Sequence, residues 1–353
     1  MKLKLIVSTL VVSLCSVAVF LFLQKKEGSS LSLPSIFTSS ETGSSVQFYY
    51  WKNRFDVDEE LREKVRALKC DRLYVHFFDV VWKDRNATPV AQLAPVKRNL
   101  LYADSVRMAP VVFITNEVIA NCDYGSDIGL LASNVNRLVK EIAQYNDSLG
   151  RYNEIQIDCD WTESTRPKYF IFLDSLAKVS EKTISCTIRL HQIKDVGVMG
   201  VPPVKKACLM CYATSDPTDG SDSNSILDIN LLKNYTKNID DYPLKLSYAL
   251  PLFSWGIVKN HEGKVKLVNG LTREMLETDN FSHIGGNNYK AENDCFVNGF
   301  YISKGFTVEL EEVSPALLKE ARQYLNDKVG KHTVVYFHLS KGYLNRFPIT
   351  DLK

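Results

Sequence analysis

The sequence predicts an α/β fold, a single-domain (β/α)8 barrel of the TIM type occupying residues 46–353. Three observations carry that expectation. Eight apolar, strand-like runs alternate with helical patterns, and alternation of this kind builds a parallel sheet; eight is the barrel number. The run Glu154-Ile-Gln-Ile-Asp-Cys-Asp-Trp-Thr162 alternates strictly. Period two puts Gln156, Asp158, Asp160 and Thr162 on one face and Ile155, Ile157, Cys159 and Trp161 on the other. A central parallel strand usually reads apolar throughout, so a carboxylate-bearing face suits a barrel interior. Finally, no glycine-rich strand-to-helix turn of the dinucleotide-binding kind is present, which disfavours the main alternative, a doubly wound open sheet.

The elements follow in order. Val46–Trp51 reads as the first strand and Asp56–Leu68 as a helix, with Leu61, Val65 and Leu68 on one stripe. Arg72–Asp79 and Ala109–Thr115 are the second and third strands. Ile128–Tyr145 is an amphipathic helix, with Leu131, Val135, Leu138 and Ile142 at helical spacing. The Asp158 run is the fourth strand. Pro167–Val179 is a helix whose Thr165-Arg-Pro entry suits a helix start. Thr183–His191, Ala207–Tyr212, Leu244–Phe253 and Thr333–His338 complete the eight. Asn298–Ile302 is an extra or competing strand.

Bulk properties exclude some partners. Formal charge is +2, which gives no reason to expect nucleic acid. No cofactor is expected. Cys208-Leu-Met-Cys211 has metal-like spacing, but on a strand its cysteines face opposite ways and no second pair follows, so no metal site is expected. Cys159, Cys186, Cys208 and Cys211 read as small core residues. At the start, Lys2 and Lys4 precede the uncharged run Leu5–Leu23. At ~1.5 Å per residue this run spans roughly 28 Å, close to a bilayer core. Residues 1–23 are therefore expected to be a signal anchor, with the body outside the cytoplasm at the cell envelope. A cleaved signal or a lipoprotein using Cys15 are the alternatives. The serine-rich stretch 24–45 reads as a flexible linker.

The candidate site gathers at carboxyl ends of strands. Arg189 and His191 share a face on the fifth strand and are expected beside Asp158 and Asp160 on the fourth. Carboxyls in different environments are what acid–base chemistry needs. Asp158, Asp160 and Glu163 are the catalytic candidates. Asp79, Arg189, His191, Tyr212, Asp216 and Trp255 are the candidates for holding substrate. Aromatics at several strand ends suit a neutral polar ligand such as a sugar. By parity, Trp161 is expected outside the barrel, packed on the following helix.

Ile155–Trp161 resembles the fourth-strand signature Asp-x-Asp-x-Glu of chitinase-like glycoside hydrolases of family 18. Met210-x-Tyr212 resembles that family's Met-x-Tyr, and Trp255 its late-strand Trp. The resemblance implies that Asp158 and Asp160 match the two aspartates, that Asp160 orients an N-acetyl group, and that Tyr212 hydrogen-bonds the intermediate. The family's general acid falls on Thr162, with Glu163 one residue late. Roughly residues 46–345 look similar to uncharacterised envelope proteins of Bacteroidetes-type bacteria, through Tyr49-Tyr-Trp51, Phe77-Phe-Asp79, Asp158–Thr162, Arg189-Leu-His-Gln192, Gly200-Val-Pro-Pro203 and Leu250–Trp255. Three readings stay open: a glycan hydrolase, a barrel that binds glycan or peptidoglycan without cutting it, and a scaffold whose polar interior only stabilises the fold.

Overall fold

The computed structural model describes residues 46–96, 99–124, 126–146, 152–218 and 223–353. The expected anchor and linker, 1–45, lie outside these residues. No helix among the described residues is long and apolar enough to cross a membrane.

In chain order the strands are β1 (Val46–Tyr50), β2 (Arg72–Lys83), β3 (Asn86–Val90), β4 (Arg107–Ile114), β5 (Glu154–Asp158), β6 (Thr183–Arg189), β7 (Lys206–Met210) and β8 (Lys245–Pro251). They continue with β9 (Ser254–Lys259), β10 (Val265–Asn269), β11 (Phe281–Gly285), β12 (Asn288–Ala291), β13 (Cys295–Val297), β14 (Phe300–Ile302), β15 (Thr307–Glu312) and β16 (Val334–Phe337). The order β1-β16-β8-β7-β6-β5-β4-β2, closed by parallel pairing of β1 with β2, makes an eight-stranded parallel barrel.

Period-two alternation then sorts the side chains. Outward residues such as Ile155, Ile157, Cys186 and Leu209 join the main core under the helices. Inward residues Tyr49, Tyr74, Ala109, Val111, Cys208, Ala249 and Val335 form a separate cluster that fills the barrel. Cys208 and Cys211 accordingly lie in different clusters. Below the inner cluster, at the amino ends of the strands, buried Glu154 accepts from Ser185 Oγ at 2.6 Å and Lys206 Nζ at 2.5 Å, and pairs with Arg72. This closes that end of the barrel with paired charges.

The helices follow local rules. Asp58 caps the helix Glu59–Ala67 by accepting from Leu61 N at 2.8 Å. Arg166–Ser180 starts with Pro167 in its first turn. Ser314 caps Pro315–Val329, which Gly330 ends at φ 67°.

Two features depart from the expected pattern. β2 runs on past Asp79 and folds back as the antiparallel hairpin β2–β3 around Asp84-Arg85. Between β8 and the helix Pro315–Val329 lies an antiparallel sheet, order β10-β9-β15-β12-β11, with its own apolar cluster around Leu271, Tyr289 and Leu310. Asn298–Ile302 is not a barrel strand: Phe300–Ile302 pairs with Cys295–Val297 in a separate hairpin.

Candidate active site

The acidic end of β5 differs from the expectation in one respect: the strand stops at Asp158, and Cys159–Thr162 is irregular chain. β6 likewise stops at Arg189, and His191 falls in a short helix, Leu190–Lys194. One side chain ties the two ends together. Fully buried Gln192 accepts from the Arg189 amide at 2.8 Å and donates to the Trp161 carbonyl at 2.9 Å. That bridge sets Arg189 beside Asp160, and the two form an ion pair at 2.5 Å. Trp161 is buried outside the barrel as parity requires. Its ring stacks on Tyr169 of the following helix at 5.2 Å, and its indole donates to the Met199 carbonyl at 3.1 Å.

Asp158 and Asp160 occupy contrasting environments. Asp158 faces the interior, 9% exposed, and accepts from Thr187 Oγ1 at 2.6 Å. Burial pushes its carboxyl up to about 6, against the Thr187 hydrogen bond, and the charge of Asp160 adds to the rise. Asp160 has 40% of its side chain exposed and is the carboxylate a ligand can reach. Tyr212 stands next to both; burial and the Asp158 charge hold its phenol well above the usual range. Its hydroxyl donates to Met210 Sδ at 3.1 Å. His191 is exposed, near Arg189 and Asp160. Partial desolvation and the Arg189 charge hold its imidazole below the usual range.

Two strands from β5, a register shift in β2 between His76 and Phe78 changes the parity. Strict alternation would place His76 and Asp79 on opposite faces. The bulge at Phe77 turns Asp79 inward, so its carboxylate meets His76 Nε2 at 2.6 Å. Along the ends of β1, β16, β8 and β7 runs an aromatic floor. Trp51 lies 4.8 Å from the His76 ring and 5.6 Å from Phe337. Phe337 lies 5.5 Å from Tyr212, and Phe253 connects Tyr212 to Trp255. Trp255 sits on β9 of the inserted sheet, and its indole donates at 2.6 Å to buried Glu311.

Asp158, Asp160, Arg189, His191 and Tyr212 thus come together. Asp79 stands on β2, two strands from β5, and Trp255 at the end of the floor. Glu163 is exposed in the turn before the helix Arg166–Ser180. Asp216 is exposed and spent on its own turn, accepting from Thr218 N at 2.8 Å and Thr218 Oγ1 at 2.7 Å. Thr162 bonds Ser164 and Thr165 locally. Sequence reasoning did not single out Thr187, His76, Trp51, Phe337 or Gln192. Parity alone marks Thr187; the bulge hides the His76–Asp79 pair.

No family model matches the chain, and no curated protein matches it. Solved structures do. The spore cortex-lytic enzyme SleL of Bacillus megaterium is similar over 88% of this chain and 74% of its own, with 15% identity and a TM-score of 0.52. The chitinase of Chromobacterium violaceum is similar over 88% of this chain and 99% of its own, with 12% identity and a TM-score of 0.54. The likeness is one of fold: a closed eight-stranded parallel barrel with surrounding helices.

Proposed function

We propose that the barrel mouth binds a glycan and acts on it with glycoside-hydrolase chemistry, using Asp158 and Asp160. The observation that carries this reading is the contrast between the two carboxyls. Asp158 is buried, bonded to Thr187 and raised to about 6, so it exchanges a proton near neutral pH. Asp160 is exposed and aligned by Arg189. Asp160 meets the ligand; Asp158, behind it, holds or releases the proton that adjusts its charge. Tyr212 supplies an orienting hydroxyl, and the Tyr212–Phe337–Trp51 floor supplies an apolar face for a sugar ring. The proteins that share the fold include a chitinase and a cortex-lytic enzyme, which supports a glycan ligand and makes N-acetylglucosamine oligomers the first to try.

A second reading is binding without cleavage. It is favoured by Thr162, which stands where the resemblance to chitinase-like hydrolases needs an acid, and by Glu163, which faces solvent. Release of reducing ends from N-acetylglucosamine oligomers and peptidoglycan, assayed beside calorimetric binding, separates the two. Turnover by the wild type that Asp160→Asn abolishes supports the hydrolase. Binding without turnover selects the second reading, and neither on any glycan removes both. The proposal extends to location. The uncharged apolar run Leu5–Leu23, preceded by Lys2 and Lys4, supports a membrane-tethered body outside the cytoplasm. Fractionation of tagged full-length chain tests it: recovery in the cytoplasmic fraction sinks it.

A further inference from the structure

Outside the barrel, between the hairpin β2–β3 and the helix Ser126–Tyr145, lies a cavity of about 370 Å³. Phe78 and Val80 of β2 and Leu131 of the helix, all buried, form its base. Asp79 alternates against Phe78 and Val80 and faces His76 inside the barrel, so this cavity and the mouth lie on opposite faces of β2. Trp82 is the hairpin wall, Leu130 the lip, and Arg85 and Arg137 stand at the rim. We propose that this cavity binds a free alkyl carboxylate, with the chain along the apolar walls and the head group on Arg85.

The turn of the hairpin supplies the first reason. Asp84 and Arg85 both stand in left-handed backbone, at φ 50° and 62°. Glycine and asparagine are the usual residues in such a turn, and a side chain with a Cβ is strained there. Arg85 bears that strain and lines the cavity, yet its side chain makes no hydrogen bond or ion pair among the described residues. Strain kept at a side chain that serves no protein partner is the pattern of a functional position. Charge supplies the second reason. The lining carries two guanidiniums against one carboxylate, Asp127, which accepts from the Asp123 amide at 3.1 Å and Ser126 Oγ at 3.3 Å. Arg137 pairs with Glu141 at 2.8 Å on the open surface, where such a pair is weak. A single negative charge therefore complements the rim, with Arg85 as its partner. Size supplies the third. The volume lies within the range of small-molecule pockets, roughly 300–1,000 Å³, and the walls are mostly apolar with a few polar groups at one end. At roughly 30 Å³ per water-sized group it holds about a dozen heavy atoms, enough for a chain of about eight carbons and its carboxylate. Leu130, 60% exposed, would be covered by such a chain.

Calorimetry on the full chain tests this by comparing octanoate with octanol, which has the same chain and no charge, in one buffer. The wild type should bind octanoate about tenfold more tightly, the worth of one hydrogen bond to a charged group. Arg85→Gly should erase that margin and leave octanol binding and the melting temperature in place, since glycine adopts φ 62° freely. Arg85→Gln, which leaves the turn as strained as it is, should narrow the margin as well. Leu130→Asn, at an exposed position, should weaken both ligands. The proposal is overturned if the wild type binds neither ligand, if it binds the two equally, or if the margin survives both Arg85 variants. Binding of both ligands that Leu130→Asn leaves unchanged would place the chain elsewhere and overturn it too.

Discussion

Replacing Asp158 with Asn should make the protein more stable at neutral pH. The side chain is 9% exposed, and burial raises its carboxyl to about 6 from an ordinary value near 4. A rise of about two units means the folded state disfavours the charged form by on the order of 3 kcal/mol. The sign follows from proton uptake. Between about pH 4 and pH 6 the native carboxyl holds a proton that the unfolded chain has released. Stability contributed by this group is therefore fully present below about pH 4 and is lost as pH rises through about 6. The Asn amide never ionises, and its oxygen still accepts from Thr187. Urea unfolding of both proteins from pH 4 to pH 8 measures the effect. The variant should match the wild type near pH 4 and exceed it by about 2–3 kcal/mol at pH 7, with a flatter slope between. An equal pH slope in the two proteins, or a less stable variant at pH 7, would refute the assignment of Asp158 as a strained, proton-exchanging carboxyl. A site that gives up stability to hold such a group is the pattern expected of function.

Three other substitutions probe different layers. Asp160→Asn should change stability by less than about 1 kcal/mol, because Asp160 and Arg189 are 40% and 34% exposed and solvent screens the pair; a loss of several kcal/mol in urea would mean that the pair braces the barrel. Glu154→Ala at the opposite end should cost about 3–5 kcal/mol, since it leaves Arg72 and Lys206 without their carboxylate; a near-neutral urea midpoint would sink the paired-charge account. Gln192→Ala removes two buried hydrogen bonds and should cost about 2–3 kcal/mol. It should also weaken glycan binding, and unchanged affinity in calorimetry would show that Asp160 and Arg189 are aligned without it.

The barrel was legible because its strands carry two different faces. Ile155, Ile157, Ile184, Cys186 and Ile188 mark the outside, and Asp158 and Thr187 the inside, so the inward face of each strand follows from period two, while strand number follows from the alternation of apolar runs with helical patterns. Strand ends were less legible. Thr183–His191 alternates throughout, but Leu190 and Ile193 also fit a helix turn, and Gln192 starts that helix by accepting from the Arg189 amide. Alternation and helical spacing coincide over so few residues. The hairpin β2–β3 escaped because its turn uses Asp84 and Arg85 at φ 50° and 62°, where glycine or asparagine is the usual signal, and because Pro89 disguises β3. The inserted sheet escaped because its strands run four to six residues, too short for a periodic signal. At the site, parity placed Asp158, Arg189 and Trp161 correctly. It gave no hint of the His76–Asp79 pair, which depends on one bulged residue, nor that Asp216 is consumed by its own turn.

Most direct for the central claim is where a sugar sits. A crystal soaked with the four-ring N-acetylglucosamine oligomer should show a ring over the Tyr212–Phe337 floor, with a polar atom of the sugar about 3 Å from the Asp160 carboxylate. A sugar bound only on the outer helices, or an empty mouth in a crystal at saturating oligomer, would contradict the glycan reading of this barrel.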